Sequence, residues 1–296
     1  MTAVAVITGT THGIGRVTAL ELARAGYSVA MLCRDVPAAG IVRAEIGAEV
    51  SQADVRIIPC DLASLQSVRR AAQVVRNEFG PITVLINSAG IVSSRHRMSA
   101  DGFELTFAVN HLGHFLLTRL LMDRMARHGR IVNVASRAHF RARAEFMELQ
   151  SITDPQARYS PIQAYARSKL ANVMFSFALA RRLAGTGITA NCLHPGVVAT
   201  HLLPAWLRAI KPLITRVIFD PDRGARTTLH LALSPEVAEI SGAYFDEYQQ
   251  IRPASLLADD VERQEALWFA SERWVGCGTW FKPKTAAGRR RTAQIA

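Results

Sequence analysis

The chain has 296 residues, 49% of them hydrophobic, and a formal net charge of +11. That length and apolar content suit one large domain or two small ones with an ample buried core, and no run approaches the ~18 apolar residues of a transmembrane span. Four cysteines, Cys33, Cys60, Cys192 and Cys277, show neither zinc-site spacing nor the density of a disulfide scaffold, which predicts free thiols in a reducing compartment. A strand pattern begins at Ala3 and leaves no room for a signal peptide, so the expected location is cytoplasmic. Much of the positive charge is local. Lys282, Lys284, Arg289, Arg290 and Arg291 fall in a segment with no acidic residue after Glu272. Residues 276–296 therefore read as a basic, flexible, solvated tail with no specific nucleic-acid role, and residues 1–275 as one domain.

Short β-branched runs alternate with longer helical patterns. Strands are expected near Ala3 to Thr8, Ser28 to Leu32, Val55 to Pro59, Ile82 to Ile86, Arg130 to Ala135, Ile188 to Leu193 and Ala243 to Phe245. Gly26, Gly80 and Gly185 follow helical patterns as left-handed stops should, and Ser64 can cap the helix after the third strand. Such alternation predicts an α/β fold: a doubly wound parallel sheet with helices on both faces and a ligand crevice at the carboxyl ends of the strands.

The first strand runs into Thr8-Gly9-Thr10-Thr11-His12-Gly13-Ile14-Gly15. Glycines let the backbone turn tightly and approach a pyrophosphate, and the helix start adds N–H groups and a positive dipole end. The second strand ends Cys33-Arg34-Asp35, about 20 residues past that loop, where a carboxylate selects the ribose hydroxyls of NAD and an arginine the 2′-phosphate of NADP. Arg34 favours NADP, and His12 could add a donor or partial charge. Asp35 argues for NAD unless it caps the next helix.

Ser160, Pro161 and Gln163 carry the marks of an N-cap, a first-turn proline and the far half of a capping box. The helix they open places Tyr165 and Lys169 on one face, a turn apart. A phenol is a poor base at neutral pH, but a neighbouring ammonium favours phenolate, which fits Tyr165 for proton exchange.

Taken together, Thr8-Gly9-x-x-x-Gly13-Ile14-Gly15, Asn87-Ser88-Ala89-Gly90, Asn110, Ser136 and Tyr165-x-x-x-Lys169 resemble the short-chain dehydrogenase/reductase family from about residue 3 to 250. Cys33-Arg34-Asp35, Val109-Asn110-His111-Leu112-Gly113-His114-Phe115 and His194-Pro195-Gly196-Val197-Val198 are similar to its retinol dehydrogenase-like branch. That resemblance implies NADPH as the cofactor and a catalytic set of Asn110, Ser136, Tyr165 and Lys169. It implies a cofactor site formed by Gly9, Thr11, His12, Gly13, Ile14, Gly15, Arg34, Asp61, Leu62, Asn87, Ala89, Gly90, Tyr165, Lys169, Pro195, Gly196, Val197 and Thr200. Asp61 matches the acid that meets the adenine amine, and could instead cap a helix. Asn110 matches the residue that holds a water in a proton relay through Lys169, and could instead be a helix-kinking core amide.

Two irregular segments carry what substrate information there is. Arg137 to Tyr159 is basic and loop-like, and its arginines leave open a substrate with an acidic group. Leu202 to Ile218 repeats apolar residues at helical spacing, interrupted by Pro204 and Pro212, which predicts two short helices. The region near 200–220 reads as a lid over a lipophilic carbonyl or alcohol, as a packed helix or subunit contact in a homo-oligomer, or as a peripheral membrane-surface element. A catalytically silent NADP sensor of the same fold stands as the rival to an enzyme.

Overall fold

The computed structural model describes residues 2–143, 149–198 and 218–278. In chain order, the first half gives β1 (Val4–Thr8), α1 (Gly13–Arg24), β2 (Ser28–Cys33), α2 (Val36–Glu49), β3 (Val55–Pro59), α3 (Leu65–Glu78) and β4 (Ile82–Asn87). After α4 (Leu105–Phe107), a π-helical turn over Ala108–Leu112 leads into α5 (Gly113–Leu121). Then follow β5 (Met125–Val134), α6 (Pro161–Leu183), β6 (Thr189–Leu193), β7 (Val197–Val198), β8 (Ile218–Phe219), α7 (Pro221–Leu233), β9 (Tyr244–Phe245), α8 (Leu256–Asp259) and α9 (Val261–Val275).

Seven strands form one parallel sheet in the order β3-β2-β1-β4-β5-β6-β9. Alternate residues of each strand enter opposite cores, which is why the strands read as continuous apolar runs. Val4 and Val6 face one core with residues of α3, α5, α6 and α9, whereas Ala5 and Ile7 face the other with residues of α1, α2 and α7. The order reverses between β1 and β4, so the crevice opens there, at their carboxyl ends.

Several local expectations are modified. Gly26 and Gly185 have positive φ, but Gly80 does not, because Phe79 already leaves α3 in an extended conformation. Ser64 caps α3 as anticipated, its hydroxyl accepting from Ser67 N at 3.3 Å. The capping box of α6 is half formed: the Ser160 hydroxyl accepts from Gln163 N at 3.4 Å, while Gln163 Oε1 has no partner. Ile218 belongs to β8, paired with β7 in a two-stranded ribbon, rather than to a helix. The rest of the expected lid, Thr200 included, and the basic tail beyond Gly278 lie outside the described residues. Among the described residues, no helix is long and apolar enough to cross a membrane. The four cysteines are free.

Candidate active site

A crevice of about 1440 Å³ runs across the carboxyl ends of β1, β2, β4, β5 and β6. The glycine loop builds one end. Gly9 has φ +75°, and a Cβ there would lie 2.7 Å from Ala89 Cα; a Cβ on Gly15 would lie 2.1 Å from the Gly9 carbonyl oxygen. Only glycines permit this closeness of β1, α1 and the turn after β4. His12 occupies the N-cap of α1 without a side-chain cap bond, which leaves that helix start suited to an anion. Thr11, Ile14 and Arg34 line the same end, and Asp61 and Leu62 close it from β3. Asp61 Oδ1 accepts from Ala63 N at 2.9 Å, so it braces its own turn while Ser64 caps the helix. Asp35 accepts from Ala38 N at 3.0 Å as the cap of α2.

Ala89, Gly90, Pro195 and Gly196 continue the wall toward Ser136, Tyr165 and Lys169. A Cβ on Gly90 would stand 3.5 Å from Asn110 Oδ1 and 3.6 Å from Lys169 Nζ, so the glycine keeps an open strip beside the ammonium. A nicotinamide dinucleotide fits this cradle: glycine backbone and helix start for phosphates, Arg34 and Asp61 at one end, Lys169 and Tyr165 at the other.

Among the expected residues whose side chains are described, Asn87, Gly13 and Asn110 do not line the crevice; the side chain of Val197 lies outside the described ones. Asn87 is buried and ties strands together, its amide donating to Asn133 Oδ1 at 2.8 Å and Thr118 Oγ1 at 3.0 Å. Its place is in the scaffold that holds the following turn. Gly13, with φ +60°, turns the loop rather than facing the cavity. Asn110 sits fully buried in the π turn. It clamps the Ile91 backbone, accepting from N at 2.8 Å and donating to O at 3.0 Å, and donates to Ser168 Oγ at 2.9 Å.

Burial raises the pKa of the Tyr165 phenol, and the neighbouring Ser136 side chain pulls it down by less, so it stays raised overall. Tyr165 keeps part of its surface open to the crevice, so the raised pKa belongs to a group still in reach of substrate. Burial lowers Lys169 to about 8. Its Nζ donates to the Val134 carbonyl at 2.8 Å and lies 5.7 Å from the Tyr165 ring centre. Burial outweighs the expected bias of Tyr165 toward phenolate, and the desolvated lysine gives one of its three N–H donors to a strand end.

The basic segment after Ser136 forms a 3₁₀ turn, Arg137–Arg141, and Arg137, Ala138 and Arg141 line the crevice. Arg137 pairs with the buried Glu247 carboxylate at 3.1 Å, which neutralises one of the arginines that left an acidic substrate open. Sequence reasoning missed Glu247, Tyr248, His194 and Ile162 as crevice residues. The first three directly follow β9 and β6, so the rule that ligands bind beyond strand carboxyl ends would have found them. A second hollow, about 840 Å³, lies near the C-terminus of α6 and the start of β6, remote from these residues. Among the described residues no cluster could hold a metal ion.

Sheet order, glycine loop and the Ser136, Tyr165 and Lys169 group define a nicotinamide-dinucleotide oxidoreductase. A family model described as short chain dehydrogenase matches residues 3–148. The chain is 39% identical over 281 residues to retinol dehydrogenase 13 of Homo sapiens, covering 92% of this chain and 84% of that one. It is 40% identical over 293 residues to retinol dehydrogenase 14 of Homo sapiens, covering 91% and 85%. A crystal structure of a putative uncharacterized protein from Mycobacterium Paratuberculosis superposes with a TM-score of 0.75 at 35% identity, covering 93% and 94%. The chain belongs to the short-chain dehydrogenase/reductase family and is retinol dehydrogenase-like.

Proposed function

We propose that this chain interconverts a carbonyl and an alcohol on a small lipophilic substrate with NADP(H), Tyr165 serving as general acid and base. The observation that carries this reading is that Ser136, Tyr165 and Lys169 line one wall of the crevice together, with Lys169 buried and its Nζ 5.7 Å from the Tyr165 ring centre. A bound nicotinamide supplies hydride transfer to or from the substrate carbon. Ser136 and Tyr165 hold the substrate oxygen, and in the reducing direction Tyr165 gives it the phenolic proton; oxidation returns that proton to Tyr165. Burial keeps the phenol protonated, which suits the donor role.

Arg34 at the crevice supports NADP, and Asp35, engaged as the cap of α2, does not offer a competing carboxylate free of other duty. The crevice mouth supports a lipophilic substrate: Ile162 is 64% exposed, Tyr248 57% and Val92 39%, and all three line it. Exposed apolar groups around a cleft favour an apolar ligand. The test is NADPH-dependent turnover of a panel of aldehydes and ketones by the wild-type protein and Tyr165→Phe. Turnover abolished in the variant with NADPH binding kept is the expected result. Retention of most of the rate by Tyr165→Phe would overturn the assignment, and absence of turnover across the panel would favour a silent dinucleotide sensor.

A further inference from the structure

His114 is buried, with 2% of its surface exposed, and lies between Thr8 at the end of β1 and Asn110 in the π turn. One ring nitrogen, Nδ1, is 3.0 Å from the main-chain carbonyl of Asn110, and the other, Nε2, is 2.9 Å from the Thr8 hydroxyl. A carbonyl can only accept, so Nδ1 carries the proton and Nε2 receives the Thr8 O–H. The Thr8 oxygen in turn accepts from Ser88 N at 3.0 Å and Ala89 N at 3.1 Å, the turn that walls the crevice after β4. Thr8 thereby uses its one proton and both acceptor sites, and its alternative acceptor, the Ile86 carbonyl, is at 3.5 Å, the limit for a hydrogen bond.

Beyond Asn110 the donors keep the same sense. Asn110 Nδ2 donates to Ser168 Oγ at 2.9 Å, and Ser168 Oγ donates to the Tyr165 carbonyl at 2.8 Å. Two amides of the Ser88-Ala89 turn are therefore linked through Thr8, His114, Asn110 and Ser168 to the turn of α6 that bears Tyr165. Burial holds His114 at about 4, so the ring stays neutral and bridges without exchanging charge. Asn110 joins the two runs through its own covalent frame, its main-chain carbonyl ending one and its side-chain amide starting the other, and each run of buried hydrogen bonds fixes its local geometry.

We propose that His114 is a positioning residue that braces two parts of the site separately, the dinucleotide-binding turn after β4 through Nε2 and Thr8, and the catalytic turn of α6 through Nδ1, Asn110 and Ser168. The proposal rests on the reading of the crevice as a dinucleotide site. Its experiment includes a measurement that needs no turnover: NADPH affinity by fluorescence titration, alongside kcat, for wild type, His114→Phe, His114→Asn and His114→Gln, each checked for folding by circular dichroism. An asparagine amide can take the place of Nδ1 and reach the Asn110 carbonyl, whereas a glutamine amide takes the place of Nε2 and reaches Thr8.

His114→Phe, which keeps the ring and loses both bonds, is expected to weaken NADPH binding about tenfold and lower kcat about tenfold. His114→Asn should restore most of kcat but not affinity, and His114→Gln the reverse. If His114→Phe does not fold, the Asn and Gln variants still read the split. Wild-type affinity and kcat in His114→Phe would overturn the proposal, as would equal losses of both quantities in all folded variants, which mean packing alone. A wild-type protein that binds neither NADPH nor NADH would instead refute the dinucleotide site itself.

Discussion

Lys169 donates to the Val134 carbonyl at 2.8 Å while its Nζ stands 5.7 Å from the centre of the Tyr165 ring. The ammonium is therefore anchored to the end of β5, at the strand that leads into Ser136, and is nearly fully buried. Desolvation lowers it from 10.5 to about 8, so carrying the charge at neutral pH costs the fold stability that the chemistry recovers.

Lys169→Met follows from that cost. The folded-state pKa lies below the unfolded value, so the unfolded chain binds more protons and stability rises with pH between about 8 and 10.5. At pH 7 the penalty is about 3 kcal/mol, offset by about 1 kcal/mol for the Val134 carbonyl left without its donor. Lys169→Met should melt a few degrees higher than wild type at pH 7 and lose its activity. Differential scanning calorimetry at pH 7 and pH 10 checks it: the gain should shrink at the higher pH, and a variant that melts lower at both would refute the burial argument.

The same lowered pKa sets an alkaline limit on the reaction. Between pH 6 and 7.5 Lys169 is charged and Tyr165, raised by burial, is protonated. Above about pH 8 the lysine loses its proton and with it the buried cation next to the Tyr165 ring. For carbonyl reduction kcat/KM should fall above that pH, since this quantity titrates groups of the free enzyme. Initial rates from pH 6 to 10 at low substrate test it, and a flat profile to pH 9.5 removes Lys169 from the proton path.

The sheet, its switch point and the Ser136, Tyr165 and Lys169 set were legible because each lies where local chemistry and fold rule coincide: apolar strands on both faces, glycines at the first strand end, a capped helix after Ser160. Long-range partners were not. Nothing local shows that Lys169 gives a donor to Val134, or that Glu247 comes round to Arg137. The left-handed stop expected at Gly80 failed for a local reason, since Phe79 ends α3 one residue earlier in an extended conformation. The His114 bridge joins residues 106 positions apart, a contact that only the parallel crossovers bring about.

Buried neutral histidines make the fold acid-sensitive. His111 is fully buried, lowered to about 3 by desolvation with His114 adding to the shift, and its Nε2 lies 3.0 Å from Ser271 Oγ on α9. Its folded pKa is below the unfolded 6.5, so its stability contribution is complete above pH 6.5 and is lost as pH falls from there toward 3. At pH 5 the loss is roughly 2 kcal/mol for this one residue. Urea midpoints at pH 7 and pH 5 should differ clearly in wild type and less in His111→Gln. Equal differences in the two proteins would mean that the acid sensitivity arises elsewhere.

Arg34 and Asp35 are neighbours with separable roles, and substitutions should part them. Arg34 lines the crevice at the end of β2, where a guanidinium can take a 2′-phosphate in two hydrogen bonds. Arg34→Ala should raise KM for NADPH about tenfold or more and leave KM for NADH within about threefold, because only NADPH presents that phosphate. Asp35 instead spends Oδ1 on the first turn of α2. Asp35→Ala should cost about 1 kcal/mol of stability as a lost helix cap, with the ratio of the two KM values held near the wild-type one. Steady-state kinetics with both cofactors, paired with thermal melts, separate the outcomes: a change of cofactor preference in Asp35→Ala larger than in Arg34→Ala would transfer the choice of cofactor to the carboxylate.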